Sequence, residues 1–316
     1  MSNIKEKGLY QISRLSASNL SDVSKLHTAV YNKAPAPGFF DRKYNTAYTL
    51  VEHTGFIAYN QELQPIAFYG VIPCFMLIDG KEVLCAQSAD TMTHPDYRNK
   101  GLFVELANRT FELCVQMGIK FLFGFPNQNS LPGFINKLGW QMAGQMDCFV
   151  IPVKAIPIAK LAAKFPVLKK WYSGYVDIML RKYQLHQAGI PGSVLMEGFD
   201  GLSRNNGYLQ NKTYSRTHVI NVDGGVVWTK INNTLLIGDL SVSPANFTLV
   251  MSDLIKLAKK LGLQQIQFHT SRGTQLHSLF KLHYKAVDSF PVIFKDLGDD
   301  ISTDRIRFTF ADIDIF

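Results

Sequence analysis

The stretch His94-Pro95-Asp96-Tyr97-Arg98-Asn99-Lys100-Gly101-Leu102-Phe103 joins two runs of different character. Before it, residues 83–93 are rich in side chains that suit a strand. After it, Phe103, Leu106, Ala107, Thr110, Phe111 and Cys114 recur at the helical period, and Gly118 ends the run. A strand that feeds directly into a helix leaves the first helical N–H groups without partners, and the positive end of the helix dipole faces the connecting turn. Arg98 and Lys100 lie in that turn, and Gly101 permits close approach of backbone and ligand. The combination predicts a turn built to hold a phosphate-like anion.

Downstream, a second segment repeats this pattern at a constant offset of 144 residues, with Phe103 matching Phe247, Leu106 matching Val250, Phe111 matching Ile255, Gly118 matching Gly262 and Trp140 matching Tyr284. Carried upstream, the same offset sets Val242, Pro244 and Ala245 opposite Arg98, Lys100 and Gly101. The second copy therefore lacks the basic glycine turn, and one anion site per chain is expected. Asp79-Gly80 and Asp223-Gly224 are hairpin signals between strand-like runs in the two copies. In the first copy the pattern predicts strands over 10–15, 55–59, 66–79, 82–93 and 120–125, with helices ending at Tyr31 and Leu138 and a short helix over 40–49. The expected fold class is α/β, a mixed and mostly antiparallel sheet with helices on both faces, formed twice.

A length of 316 residues allows two domains, and 47% hydrophobic with 18% charged residues describes a globular protein. No apolar run is long enough to span a bilayer, and residues 1–10 have charges but no apolar signal core, so a cytoplasmic location is expected. Cys74, Cys85, Cys114 and Cys148 show no metal-ligand spacing and read as reduced core residues; no metal and no P-loop are expected. The net charge of +8 is concentrated, because residues 151–190 carry seven Lys/Arg against one Asp/Glu. That segment reads either as a helix with a solvated lysine face or as a basic amphipathic surface for an anionic polymer or a membrane.

The order of strand, Arg98-Asn99-Lys100-Gly101 turn, helix, strand at 120–125, short helix and Gly139-Trp140 resembles the GCN5-related N-acetyltransferases (GNAT). That family's loop reads Arg/Gln-x-x-Gly-x-Gly/Ala; Arg98 and Gly101 fill its places, and Phe103 stands where a small residue is usual. The resemblance implies acetyl-coenzyme A as co-substrate. Its pyrophosphate would be held by Arg98, Asn99, Lys100, Gly101, Leu102 and Phe103, and its pantetheine arm would run beside Met92 and Thr93, with contacts from Asn127 and Asn129. It also implies a tandem arrangement: an N-terminal domain over 1–152 with the coenzyme loop, a basic helical linker over 153–199, and a C-terminal domain over 200–316 without the loop. Asp90, on the strand leading to the loop, is the candidate general base. The tyrosine that commonly serves as general acid in this family is replaced by Ile135, which leaves three openings: another residue such as Tyr97 as the candidate acid, solvent in that role, or binding of coenzyme without acetyl transfer. The implied activity is transfer of acetyl to a small amine or amino sugar, with nucleic acid not an expected partner. Two alternatives are a non-catalytic acyl-coenzyme A-binding scaffold and an aminoacyl transferase of the Fem type, the latter suggested by two similar halves and the basic segment.

Overall fold

The computed structural model describes residues 10–316 and divides into two compact units. Residues 1–9, read above as lacking a signal core, lie outside the described residues. The first unit comprises the chain up to Ala143 with Asn205–Tyr214 and Pro291–Asp304; the second comprises Gly144–Arg204, Ser215–Phe290 and Arg305–Phe316. The expected division at 152 and 199 follows the order of the repeats along the chain. The units are not continuous in sequence: Asn205–Tyr214 and Pro291–Asp304 fall in the first.

In the first unit the elements are β1 (Gln11–Arg14), α1 (Leu20–Tyr31), α2 (Phe39–Lys43), β2 (Gly55–Tyr59), β3 (Pro65–Ile78), β4 (Lys81–Thr93), α3 (Leu102–Gln116), β5 (Phe121–Gly124) and α4 (Leu131–Leu138). Strands β1 to β4 form an antiparallel meander, β5 adds in parallel after the α3 crossover, and residues 293–296 pair antiparallel with β5. The Asp79-Gly80 hairpin forms as expected. Both residues have positive φ (48° and 75°), as a two-residue turn matching strand twist requires. The expected helix over 40–49 is two pieces, α2 and a 3-10 turn at Ala47–Thr49. It breaks where the Thr46 hydroxyl bonds the Val51 carbonyl (2.5 Å) instead of continuing the helix.

Both faces of this sheet are covered. Leu106, Ala107 and Cys114 of α3 pack with Tyr69, Val71, Ala86 and Leu122, whereas Leu20, Val23 and Leu26 of α1, Phe40 of α2 and Tyr44 just after it pack with Phe68, Ile72, Ala89 and Met92. Each fully buried large apolar side chain contributes about 1.5–3 kcal/mol.

The second unit contains β6 (Gln141–Pro152), α5 (Ile158–Ala162), α6 (Pro166–Leu180), β7 (Gln184–Leu185), α7 (Ser193–Met196) and β8 (Gly201–Leu202). The short α8 (Asn206–Asn211) belongs to the first unit, after which the second continues with β9 (His218–Val222), β10 (Gly225–Ile231), β11 (Leu235–Val242), α9 (Phe247–Lys260), β12 (Gln265–Ser271), α10 (Gln275–His283) and the start of β13 (Ala286–Asp296), whose residues from Pro291 on belong to the first unit. Strands β9, β10 and β11 are an antiparallel meander, β12 joins β11 in parallel, and β6 pairs antiparallel with β12. The basic segment contains the helices α5 and α6, and Tyr172, Val176 and Leu180 of α6 are part of this unit's core beside Ile220, Leu257 and Leu261.

The repeat is preserved from helix to helix. α4 begins at Leu131 and α10 at Gln275, an offset of 144, and β5 and β12 begin with the same spacing. Upstream, the ungapped match to Val242, Pro244 and Ala245 gives way. The 3-10 turns preceding the helices are Pro95–Tyr97 and Pro244–Asn246, and the second leads straight into α9 through Phe247 (φ −54°). The turn Arg98–Gly101 is thus an insertion peculiar to the first copy rather than a substituted segment of the second.

Candidate coenzyme site

Strand β4 pairs with β3 from Lys81 to Thr93 but with β5 only at Ala86↔Leu122 and Gln87↔Phe123. Beyond Gln87 no β5 residue pairs with β4 among the described residues, so the β5-facing edge of residues 88–93 is free of ladder bonds there and borders a wedge between the strands. A bulge adds to the divergence: Met92 opposes Phe68 and Ala89 opposes Gly70, which sets Asp90 and Thr91 against Tyr69 alone, with Asp90 at φ 53°. An unpaired strand edge is a template for an extended amide-bearing ligand.

The wedge leads to the basic turn. Asn99 (φ 62°) and Gly101 (φ 82°) are both left-handed, and the backbone N–H groups of residues 99–103 have no acceptor among the described residues. Arg98 and Lys100 are exposed beside them. A Cβ placed on Gly101 would meet open space, so glycine is required there by φ rather than by crowding. Unpaired N–H groups, a fifteen-residue helix pointing its N-terminus at them and two cations make a setting for a polyphosphate.

The remaining expected contacts fall in different places. Leu102 and Met92 are buried, and Thr93 is partly exposed on the unpaired edge. The Phe103 ring turns inward, away from the turn, packing on Phe134 (5.5 Å) and Tyr69 (6.0 Å) and against Gly133. It fills the space between α3 and α4, a core role rather than one at the turn. Asn127 is occupied with α4: its Oδ1 accepts from the N–H groups of Asn129 and Ser130, both at 3.0 Å. Asn129 is exposed in the same turn, and Ile135 packs against the core beneath α3.

Asp90 and Tyr97 are not brought together. The Asp90 carboxylate accepts from the Lys43 ammonium at 2.6 Å and the Tyr44 hydroxyl at 3.1 Å, on the α2 side of the sheet. Lys43 is 2% exposed. Its ammonium also lies 5.4 Å from the Phe39 ring centroid and 5.9 Å from that of Tyr214. Tyr31 stands nearby; burial, then the Asp90 charge, raises its phenol above the ordinary value. Tyr97 packs in the α3-side cluster, its hydroxyl accepting from Asn60 (3.1 Å) and its ring under Lys100 (5.1 Å). Lys43 and Tyr31 were missed in the sequence, although Lys43 shares a helical stripe with the buried Phe40 and Tyr44, and a lysine on an apolar stripe signals a buried partner. An open cleft of about 300 Å³, lined by Arg42, Asn45, Tyr48, Gln210, Asn211 and Thr213, contains none of the expected site residues.

In the second unit the same divergence exists but is filled. β11 and β12 pair only over Leu235–Ile237 and Ile266–Phe268, and residues 308–316 follow on the β11 side of β12. The Ser271 N–H donates to the Phe308 carbonyl (2.9 Å), Thr270 bridges Thr309, and the Phe316 ring lies on Gly238. Phe308 and Phe316 are fully buried.

A meander entering a parallel pair through a crossover helix, with a wedge ending at a phosphate-type turn, defines the acetyltransferase fold expected above. Residues 11–143 match the acetyltransferase (GNAT) domain family. Solved structures agree in fold: a probable N-acyltransferase from Enterococcus faecalis (TM-score 0.60, 11% identity, covering 91% of this chain and 73% of that one) and a GCN5-related N-acetyltransferase from Kribbella flavida (0.58, 14%, 91% and 71%). A third, also a GCN5-related N-acetyltransferase, comes from Anabaena variabilis (0.53, 13%, 92% and 73%). Comparison with curated proteins gives no match.

Proposed function

We propose that the chain is an acetyl-coenzyme A-dependent N-acyltransferase of tandem GNAT type, acting on a small amine or amino sugar. The observation that carries this reading is the wedge between β4 and β5, which ends at unpaired N–H groups flanked by Arg98 and Lys100. Bound acetyl-coenzyme A would supply an activated acyl thioester. Arg98, Lys100 and the N–H groups of 99–103 would hold its pyrophosphate, and the free edge at Met92–Thr93 would order its amide arm and stabilise charge on the acyl oxygen. Asp90 has one oxygen ion-paired with Lys43, so its role as base rests on taking an ammonium proton while so paired. Tyr97, with its hydroxyl tied to Asn60, remains the candidate acid of the coenzyme side. A cytoplasmic location fits the coenzyme, and among the described residues no helix is long and apolar enough to cross a membrane.

The test is a thiol-release assay with acetyl-coenzyme A and a panel of amines and amino sugars. Acceptor-dependent release, lost in Arg98→Ala, supports transfer. The Asp90–Lys43 pair and Ile135 favour a second reading, a non-catalytic acyl-coenzyme A-binding module, which predicts binding without release against any acceptor.

A further inference from the structure

Helix α6 has an apolar stripe on each side. Tyr172, Val176 and Leu180, spaced by four, are buried in the core of the second unit. Val167, Trp171 and Ile178, spaced by four and seven, project from the opposite side, where they are 79%, 60% and 63% exposed. Phe165, just before the helix, is 59% exposed. A helix on a solvated surface keeps its outer face polar. A lysine face in water accounts for the exposed Lys164, Lys169 and Lys170 but not for the large exposed apolar side chains Val167, Trp171 and Ile178.

We propose that this face is a docking surface for an anionic lipid bilayer. Charge points to the occupant: residues 151–190 carry seven Lys/Arg and a single acid, Asp177, which is ion-paired with Arg216. Exposed aliphatic and aromatic groups bordered by cations match the boundary between acyl chains and phosphate headgroups, where lysine stems lie along hydrocarbon while their ammonium groups reach outward. A nucleic acid would engage the cations and the indole ring but leave Val167 and Ile178 in water. The surface is also rigid before contact. The Tyr172 and Tyr175 hydroxyls donate to the Leu261 and Lys260 carbonyls, both at 2.8 Å, and the Trp171 ring stacks on Tyr175 (5.8 Å, 6° between planes). Docking would therefore not have to order the helix, and the attachment would be peripheral.

The chain carries its own probe. Of its three tryptophans, Trp140 and Trp228 are buried and Trp171 is exposed, so a change in indole emission on adding vesicles reports this face. The experiment mixes the full chain with vesicles of phosphatidylcholine alone or with phosphatidylglycerol, following co-sedimentation and emission at low and high salt. Expected are binding to the anionic vesicles only, a blue shift of Trp171, and weakening by salt. The triple variant Lys164→Gln, Lys169→Gln, Lys170→Gln should bind roughly a hundredfold more weakly, at about fivefold per lysine. The pair Phe165→Ser and Val167→Ser, both at exposed positions, should bind more weakly at every salt concentration while keeping the parent's circular dichroism. Three results would overturn the proposal: no binding to anionic vesicles, binding without any shift of Trp171 together with equal binding to free heparin, or a concentration-dependent Trp171 shift without lipid, which would mark an interface between copies of the chain.

Discussion

Replacing Asp90 with Asn tests whether the carboxylate beside the β4 bulge is held for structure or for chemistry. The substitution keeps shape, and asparagine tolerates the left-handed backbone at this position (φ 53°). It removes the carboxylate that accepts from the Lys43 ammonium, which is 2% exposed. Breaking a buried pair from one side costs about 3–5 kcal/mol, a large part of the ~5–15 kcal/mol that holds a domain together. Lys43→Met should cost less, about 1–3 kcal/mol, because the carboxylate it abandons is 16% exposed and keeps some water. With both changes no charge is stranded, and methionine can lie between the Phe39 and Tyr214 rings that now flank the ammonium. The double variant should return to within about 1 kcal/mol of the parent, a coupling of roughly 3 kcal/mol or more. Urea denaturation of the four proteins measures this through the shift in midpoint at constant slope. Thiol release measured on the same proteins separates the roles: a base is lost in the double variant even though stability returns, whereas a purely structural carboxylate leaves the double variant active. Additive losses of stability would refute the pairing argument.

Three further outcomes are expected. Phe103→Ala should lower stability by about 2–4 kcal/mol while leaving acetyl-coenzyme A affinity largely unchanged in calorimetry, because the ring packs in the core rather than on the phosphate turn. Gly101→Val should weaken coenzyme binding with little loss of secondary structure by circular dichroism, since a β-branched residue is strained at φ 82° in an otherwise open turn. His269 donates or accepts at Nδ1 with Ser289 (2.6 Å) and lies between the Phe290 and Phe310 rings, and burial pushes its imidazole down from 6.5 to about 4. The unfolded chain then takes up this proton first as pH falls, so the stabilisation is complete above about 6.5 and fades towards about 4, by up to ~3 kcal/mol in all. His269→Gln should flatten that part of the urea-midpoint profile, and an unchanged slope would exclude the histidine as its source.

Elements whose signals are local were legible in the sequence. The stripe from Phe103 to Cys114 gave a helix correct to within two residues at its ends, and Asp79-Gly80 gave its hairpin, because periodicity and turn chemistry are written in neighbouring residues. The offset of 144 located the second helix–strand–helix set for the same reason. It failed upstream of α9, where the absence of four loop residues changes the register and only three-dimensional placement reveals the gap. The ion pair of Lys43 with Asp90 joins residues 47 positions apart across a bulge, and no spacing rule encodes such a contact. The use of the Asn127 side-chain oxygen in the turn before α4 was likewise open to a local reading, since an Asn in a turn is a turn signal as much as a ligand signal. The filling of the second wedge by residues 308–316 depends on a segment distant from β11 and β12 in sequence and left no mark on either strand.

The central claim is one acetyl-coenzyme A site per chain, formed by the wedge and turn of the first unit. Calorimetric titration of the full chain with acetyl-coenzyme A, beside the Arg98→Ala, Gly101→Glu variant, tests it directly. The account predicts a stoichiometry of one for the parent and no measurable heat for the folded variant; loss of the arginine contact alone is worth roughly tenfold to a hundredfold in affinity. Two sites per chain, or binding that survives in the variant, would contradict it.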